Sequence, residues 1–233
     1  MTTYVLVHGA FGGSYGFRKV RPLLTAAGHE VLTPSLTGIG ERSHLRTPDI
    51  DLALHIEDVA NMVRCEDVDD IVLLGFSYGG MVVTGCLDRF GDRVRELVYL
   101  DAFVPRDGQA ATDVLGPVAG EAMKAAATDG YVQPIPRDLG SDEANAWAQE
   151  RRVGQPILTL TNPVSLAKPQ EDWQFGLTYI KATADPAEQR DSAFWQAFDQ
   201  AVASPAWRTH EIDTNHMIPE LRPDVLADIL LKL

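Results

Sequence analysis

Two cysteines, Cys65 and Cys86, are all that 233 residues contain, too few for a disulfide framework and without metal-ligand spacing. Cys86 sits in an apolar helical pattern, so a small buried core residue is its expected role. Basic residues are also scarce. Twenty Lys and Arg against 33 Asp and Glu leave a formal net charge of −13, which argues against nucleic acid and anionic membrane surfaces as partners. No apolar run approaches the ~20 residues of a membrane-spanning helix. The N-terminal stretch Met1 to His8 lacks the basic head and cleavage site of a signal peptide, so cytoplasmic residence is expected. What remains, 45% apolar and 23% charged residues, is ordinary for a globular domain.

Short apolar, β-branched runs alternate with helical patterns, which predicts an α/β fold with a mostly parallel sheet and helices on both faces. Strands are expected at Tyr4–Val7, Glu30–Thr33, Ile71–Leu74, Glu96–Leu100, Leu177–Ala182 and Thr209–Ile212. Helices are expected at Phe17–Ala27, Ile50–Cys65 and Val225–Leu231. Between Val104 and Trp173 seven prolines break the chain into short pieces, with helical stretches near Val118–Ala127 and Asp142–Arg151 and no visible sheet strand. The expected organisation is therefore a core of residues 1–104 and 174–233, with 105–173 inserted as a cap over the strand C-termini.

The pentad Gly75-Phe76-Ser77-Tyr78-Gly79 stands between an expected strand and an expected helix. It is a G-x-S-x-G turn, in which the glycines admit a bend sharp enough to lift a serine hydroxyl above the sheet. A serine needs a base. Of six histidines, His216 follows the last strand and so reaches the same sheet edge as Ser77. The orienting carboxylate is expected from Asp185, which follows the penultimate strand, with Asp101 at the end of the strand after the elbow helix as its competitor. Oxyanion donors are expected from the backbone of Tyr78 and of Ala10, the latter in the glycine-rich loop His8-Gly9-Ala10-Phe11-Gly12-Gly13. His8 is expected to stitch that loop by hydrogen bonding. Phe11 and Phe103, with Trp147 and Trp173 from the cap, are candidate substrate contacts. The segment Thr37-Gly38-Ile39-Gly40-Glu41-Arg42 lacks a third glycine and a following Lys-Ser/Thr, which excludes a phosphate loop.

Val5-Leu6-Val7-His8-Gly9-Ala10, the elbow, Tyr99-Leu100-Asp101-Ala102-Phe103-Val104-Pro105, Tyr179-Ile180 with Asp185, and Asn215-His216-Met217 together resemble the α/β-hydrolase superfamily. Within it they resemble the plant methylesterase and hydroxynitrile lyase family and its bacterial esterase relatives. The resemblance implies a triad of Ser77, Asp185 and His216, an oxyanion hole of Ala10 and Tyr78, and neither metal nor cofactor. Lyases of that family carry a threonine after the first-strand histidine and a lysine after the catalytic one. Gly9 and Met217 stand there instead, the esterase pattern. The implied activity is hydrolysis of a small, largely apolar or aromatic ester. A hydroxynitrile-lyase-like enzyme and a non-hydrolytic small-molecule receptor on the same scaffold are the alternatives. Whether the chain acts as a monomer or a homodimer is left open.

Overall fold

The computed structural model describes residues 1–184 and 192–233. Six parallel strands form the central sheet in the order β2-β1-β3-β4-β7-β8: β1 (Thr3–Val7), β2 (Glu30–Leu32), β3 (Ile71–Phe76), β4 (Val94–Leu100), β7 (Gly176–Ala182) and β8 (Trp207–Ile212). Each of the six expected strands is present, most of them a residue or two longer. Their side chains alternate between two apolar layers. Val5, Val7, Leu73, Leu97 and Tyr99 pack on one face. Tyr4, Leu6, Leu74, Val98 and Leu100 pack on the other. That alternation, with both faces covered, is why the strands read as continuous apolar runs.

The helices start where their capping chemistry allows. Helix Leu52–Glu66 opens on Asp51, whose carboxylate accepts from Leu54 N–H, and ends on Asp67 in the left-handed region. The expected helix Phe17–Ala27 is shorter, a single 3-10 turn Ser14–Phe17 followed by helix Arg21–Ala26. Pro22 explains the break, because proline is tolerated only in a first helical turn. No helix among the described residues is long and apolar enough to cross a membrane.

Between β4 and β7 the chain adds no strand to the central sheet. It forms four helices, Ala111–Val114, Pro117–Ala125, Asp142–Arg151 and Leu158–Thr161, and a small antiparallel pair, β5 (Tyr131–Val132) with β6 (Gln155–Pro156). This segment reaches back to the loop after β1, where Val153 N–H donates to Phe11 C=O at 3.1 Å.

Chain order runs outward in opposite directions from β1 and β3. A sheet of this kind opens a crevice at the C-terminal ends of the two strands where its order reverses. The loop after β1 and the turn after β3 meet there. Their approach is close enough to require glycine. A Cβ on Gly79 would lie 2.5 Å from Val7 C=O, and one on Gly80 would lie 2.1 Å from Phe103 C=O. Overpacking of this kind costs about 1–3 kcal/mol. Gly80→Ala is therefore expected to lower unfolding free energy in urea by roughly that amount, whereas Gly16→Ala, with no atom within 4 Å of the added methyl, is expected to stay within about 0.5 kcal/mol.

Candidate active site

Ser77 stands at the C-terminal end of β3 with φ of 55°, a left-handed conformation rare for a residue with a side chain. The surroundings hold it there. Its N–H donates to Leu100 C=O at 3.2 Å, and its C=O accepts from Gly80 N–H and Phe103 N–H. A Cβ on Gly75 would lie 2.6 Å from Gly79 C=O, so the turn closes only because both residues are glycine. The helix Gly79–Gly85 then points its N-terminus at the crevice.

His216 Nε2 lies 3.0 Å from Ser77 Oγ, and its Nδ1 lies 2.7 Å from Asp101 Oδ2. An ionised carboxylate only accepts, so Nδ1 carries the ring proton and Nε2 presents its lone pair to the serine hydroxyl. The imidazole is buried between two rings, Phe194 stacked at 5.0 Å and Phe76 tilted at 4.8 Å. Phe103 continues the column by packing on Phe194 at 5.0 Å.

The carboxylate on the imidazole is thus Asp101, where the sequence favoured Asp185. Asp185 lies outside the described residues. Three features aim Asp101. Its backbone turns left-handed at φ 42°, and its N–H donates to Ile180 C=O at 2.7 Å. Its second oxygen accepts from the buried Lys181 Nζ at 2.8 Å. Lys181 also donates to Ala182 C=O at 2.6 Å. Burial opposes the charge on Asp101, but the His216 imidazole and the Lys181 ammonium outweigh it and hold the carboxyl below the ordinary carboxylate range. The Tyr179 hydroxyl accepts from Ala102 N–H at 3.1 Å and faces Phe194 C=O at 3.1 Å, tying the loop beyond Asp101 to the helix that carries Phe194.

Ala10 lines the crevice beside Ser77, Tyr78 follows Ser77 as the N-cap of the helix, and among the described residues neither backbone N–H has an intraprotein hydrogen bond. His8 orients the first of them. Its Nδ1–H donates to Gly9 C=O at 2.9 Å, and its Nε2 accepts from Leu36 N–H at 3.2 Å. Gly9 C=O and Ala10 N–H share one planar peptide, so fixing the carbonyl fixes the N–H. Burial lowers the pKa of His8 and keeps it neutral for this task. The Tyr78 side chain turns into the core instead of the crevice. Its hydroxyl donates to His55 Nδ1 at 2.9 Å, because His55 Nε2 must donate to Thr37 C=O. His55 is pulled down to about 4, chiefly by burial.

A cavity of about 80 Å³ contains Ser77 and His216, and Ala10, Phe11, Phe76, Trp147, Arg152 and Met217 line it, among others. Of the four aromatic residues named from the sequence, Phe11 and Trp147 line this cavity. Trp147 is held by Tyr15, edge-on at 5.6 Å, and by the Arg18 guanidinium 3.6 Å from its ring centre. Trp173 does not join. It precedes β7 and so lies at the N-terminal edge of the sheet, packed on Gly91 and stacked with Phe175. Phe103 contributes backbone and second-layer packing, not cavity wall. Arg137, Arg152 and Glu220 make the lining more polar than the sequence suggested. Burial and the neighbouring Arg137 bring the Arg152 guanidinium down to about 10.

Phe194 and Lys181 are the residues that sequence reasoning missed. A lysine inside the apolar run Leu177-Thr178-Tyr179-Ile180-Lys181-Ala182 was the available signal, since a buried cation requires a buried anion nearby.

The sequence profile described as the Alpha/beta hydrolase family matches residues 4–229. A carbendazim hydrolyzing esterase of Nocardioides sp. (strain SG-4G) is 35% identical over 246 residues, covering 100% of both chains. Arabidopsis thaliana Methylesterase 2 is 33% identical over 104 residues, covering 44% of this chain and 40% of its own. The Arabidopsis alpha-hydroxynitrile lyase is 34% identical over 116 residues, covering 48% of this chain and 44% of its own. An extracellular alpha/beta-hydrolase from a Paenibacillus species shares the fold, with a TM-score of 0.83 at 22% identity over 100% of this chain and 98% of that one. Matched over nearly its whole length, the chain belongs to the alpha/beta hydrolase family and is a hydrolase.

Proposed function

We propose that the chain is a serine carboxylic-ester hydrolase that works through an acyl-enzyme, with Ser77 as nucleophile, His216 as base and Asp101 as the orienting acid. The observation that carries this reading is the continuous chain from Asp101 Oδ2 through His216 to Ser77 Oγ, at 2.7 and 3.0 Å. As Ser77 Oγ attacks the ester carbonyl, His216 Nε2 takes its proton, and Asp101 stabilises the imidazolium that forms. Ala10 N–H and Tyr78 N–H meet the charge developing on the carbonyl oxygen. His216 then protonates the departing alcohol, and water repeats the sequence on the acyl-enzyme. Residues 105–173 act as the cap that walls the acyl or alcohol group.

The cavity supports a substrate class. About 80 Å³ beside Ser77 admits a small group, with the aromatic Phe11 and Trp147 and the cationic Arg152 in its lining. A small ester with a planar aromatic part and a hydrogen-bond acceptor fits this lining. Carbendazim, for which the full-length relative is named, belongs in the test panel.

Two positions favour hydrolysis over cyanohydrin cleavage. Gly9 stands where the lyases have threonine, and a Cβ there would lie 2.9 Å from Ser77 Cβ. Met217 stands where they have lysine and lines the cavity. Intact catalytic geometry speaks against a receptor without turnover.

On p-nitrophenyl and methyl esters, Ser77→Ala is expected to lower kcat by on the order of 10⁶-fold. Asp101→Asn is expected to lower it by about 10⁴-fold by favouring the wrong imidazole tautomer. Asp185→Asn should stay near wild type. The reverse ranking of the two aspartates would replace Asp101 by Asp185, and ester turnover surviving Ser77→Ala would refute the mechanism.

Asp101 also links stability to pH. A carboxyl with a depressed folded pKa contributes stability that is present above its unfolded value of about 3.9 and is lost as pH falls through the folded value. In urea unfolding, the stability gap between wild type and Asp101→Asn should narrow as pH falls from about 5 toward about 2. A gap that widens on acidification would contradict the assignment.

A further inference from the structure

We infer that Gln155, a cap residue, is a positioning residue of the oxyanion hole: it claims the Phe11 N–H, and with Thr159 it sets the loop from which Ala10 N–H faces the substrate. The inference rests on the ester-hydrolase reading above.

Gln155 is fully buried in β6, and its Oε1 accepts from Phe11 N–H at 3.0 Å. The side-chain amide cannot rotate away. Its Nε2 donates to Thr159 Oγ1 at 2.7 Å, and Thr159 Oγ1 donates to Pro156 C=O at 2.6 Å. A flipped amide would face Phe11 N–H with a donor and Thr159 with an acceptor, so the network specifies one orientation. Two residues earlier, Val153 N–H donates to Phe11 C=O at 3.1 Å. The cap therefore grips both polar groups of Phe11 and supports its left-handed backbone, φ 66°.

This matters for chemistry because Ala10 and Phe11 are adjacent. His8 fixes the peptide that carries Ala10 N–H, and Gln155 fixes the next one. With Phe11 N–H engaged by Gln155, it is withdrawn from the acyl oxygen, and the adjacent Ala10 N–H is left to face it. A buried chain from Pro156 C=O through Thr159 and Gln155 to Phe11 N–H thus ties residues 155–159 to the loop that carries Ala10.

Gln155→Met keeps the side chain's length and removes its polar atoms. It is expected to lower kcat by about 10²-fold, the cost of a misplaced oxyanion donor, with little change in KM. A trifluoromethyl ketone, whose adduct with Ser77 carries an oxyanion, should lose affinity in parallel. The pH profile should keep its shape, because the triad is untouched. Rates are referred to sites titrated with a fluorophosphonate, which separates altered catalysis from a smaller folded fraction. If Gln155→Met does not fold, Thr159→Val decides, with a smaller loss of the same kind expected and Thr159→Ser restoring activity. Per-site kcat and ketone affinity equal to wild type in the folded variant would overturn the inference and leave the esterase reading standing. Wild-type ester turnover that survives Ser77→Ala would overturn both.

Discussion

A carboxylate held charged in the protein interior organises this site. Asp101 has essentially no solvent contact, and removing one partner of such a buried charge pair typically costs about 3–5 kcal/mol. Its two oxygens are divided between two cations or potential cations, Lys181 on one and His216 on the other. That division fixes the imidazole in the plane and tautomer that present Nε2 to Ser77. Phe194 and Phe76 pack against the ring in that orientation. Ser77 is positioned independently. Its position comes from steric closeness at Gly75, Gly79 and Gly80, and backbone bonds to Leu100 and Phe103 maintain its strained turn.

The topology explains why these parts meet. Ser77, Asp101 and His216 follow β3, β4 and β8, and parallel strands deliver all three to one edge. The loop after β1 arrives at the same place because the sheet order reverses between β1 and β3. The segment between β4 and β7 contacts that loop through Val153 and Gln155 and contributes Trp147 to the cavity lining, so it holds the backbone beside Ser77.

Much of this was legible in the chain. The six strands announced themselves as apolar runs of strand length, and the elbow as glycines spaced around a serine between a strand and a helix. His216 followed from the order of elements, and His8 stitches its loop as expected. What escaped depended on contacts distant in sequence. Spacing alone left two aspartates at the right edge, and Lys181, 80 residues from Asp101 along the chain, is what holds the one seen on the imidazole. Phe194 lies on an amphipathic helix whose rotation no local pattern specifies. Gln155 lies in the proline-broken segment, where periodicity is absent. Trp173 was misplaced for a simpler reason: a residue just before a parallel strand belongs to the opposite sheet edge.

The most direct measurement is proton NMR of the hydrogen-bonded Nδ1–H of His216, observed far downfield in protein labelled with ¹⁵N-histidine. If Asp101 holds the imidazole, the resonance is present in wild type and in Asp185→Asn and is lost or strongly shifted upfield in Asp101→Asn. Its persistence in Asp101→Asn, with loss in Asp185→Asn, would contradict the assignment on which the site is built.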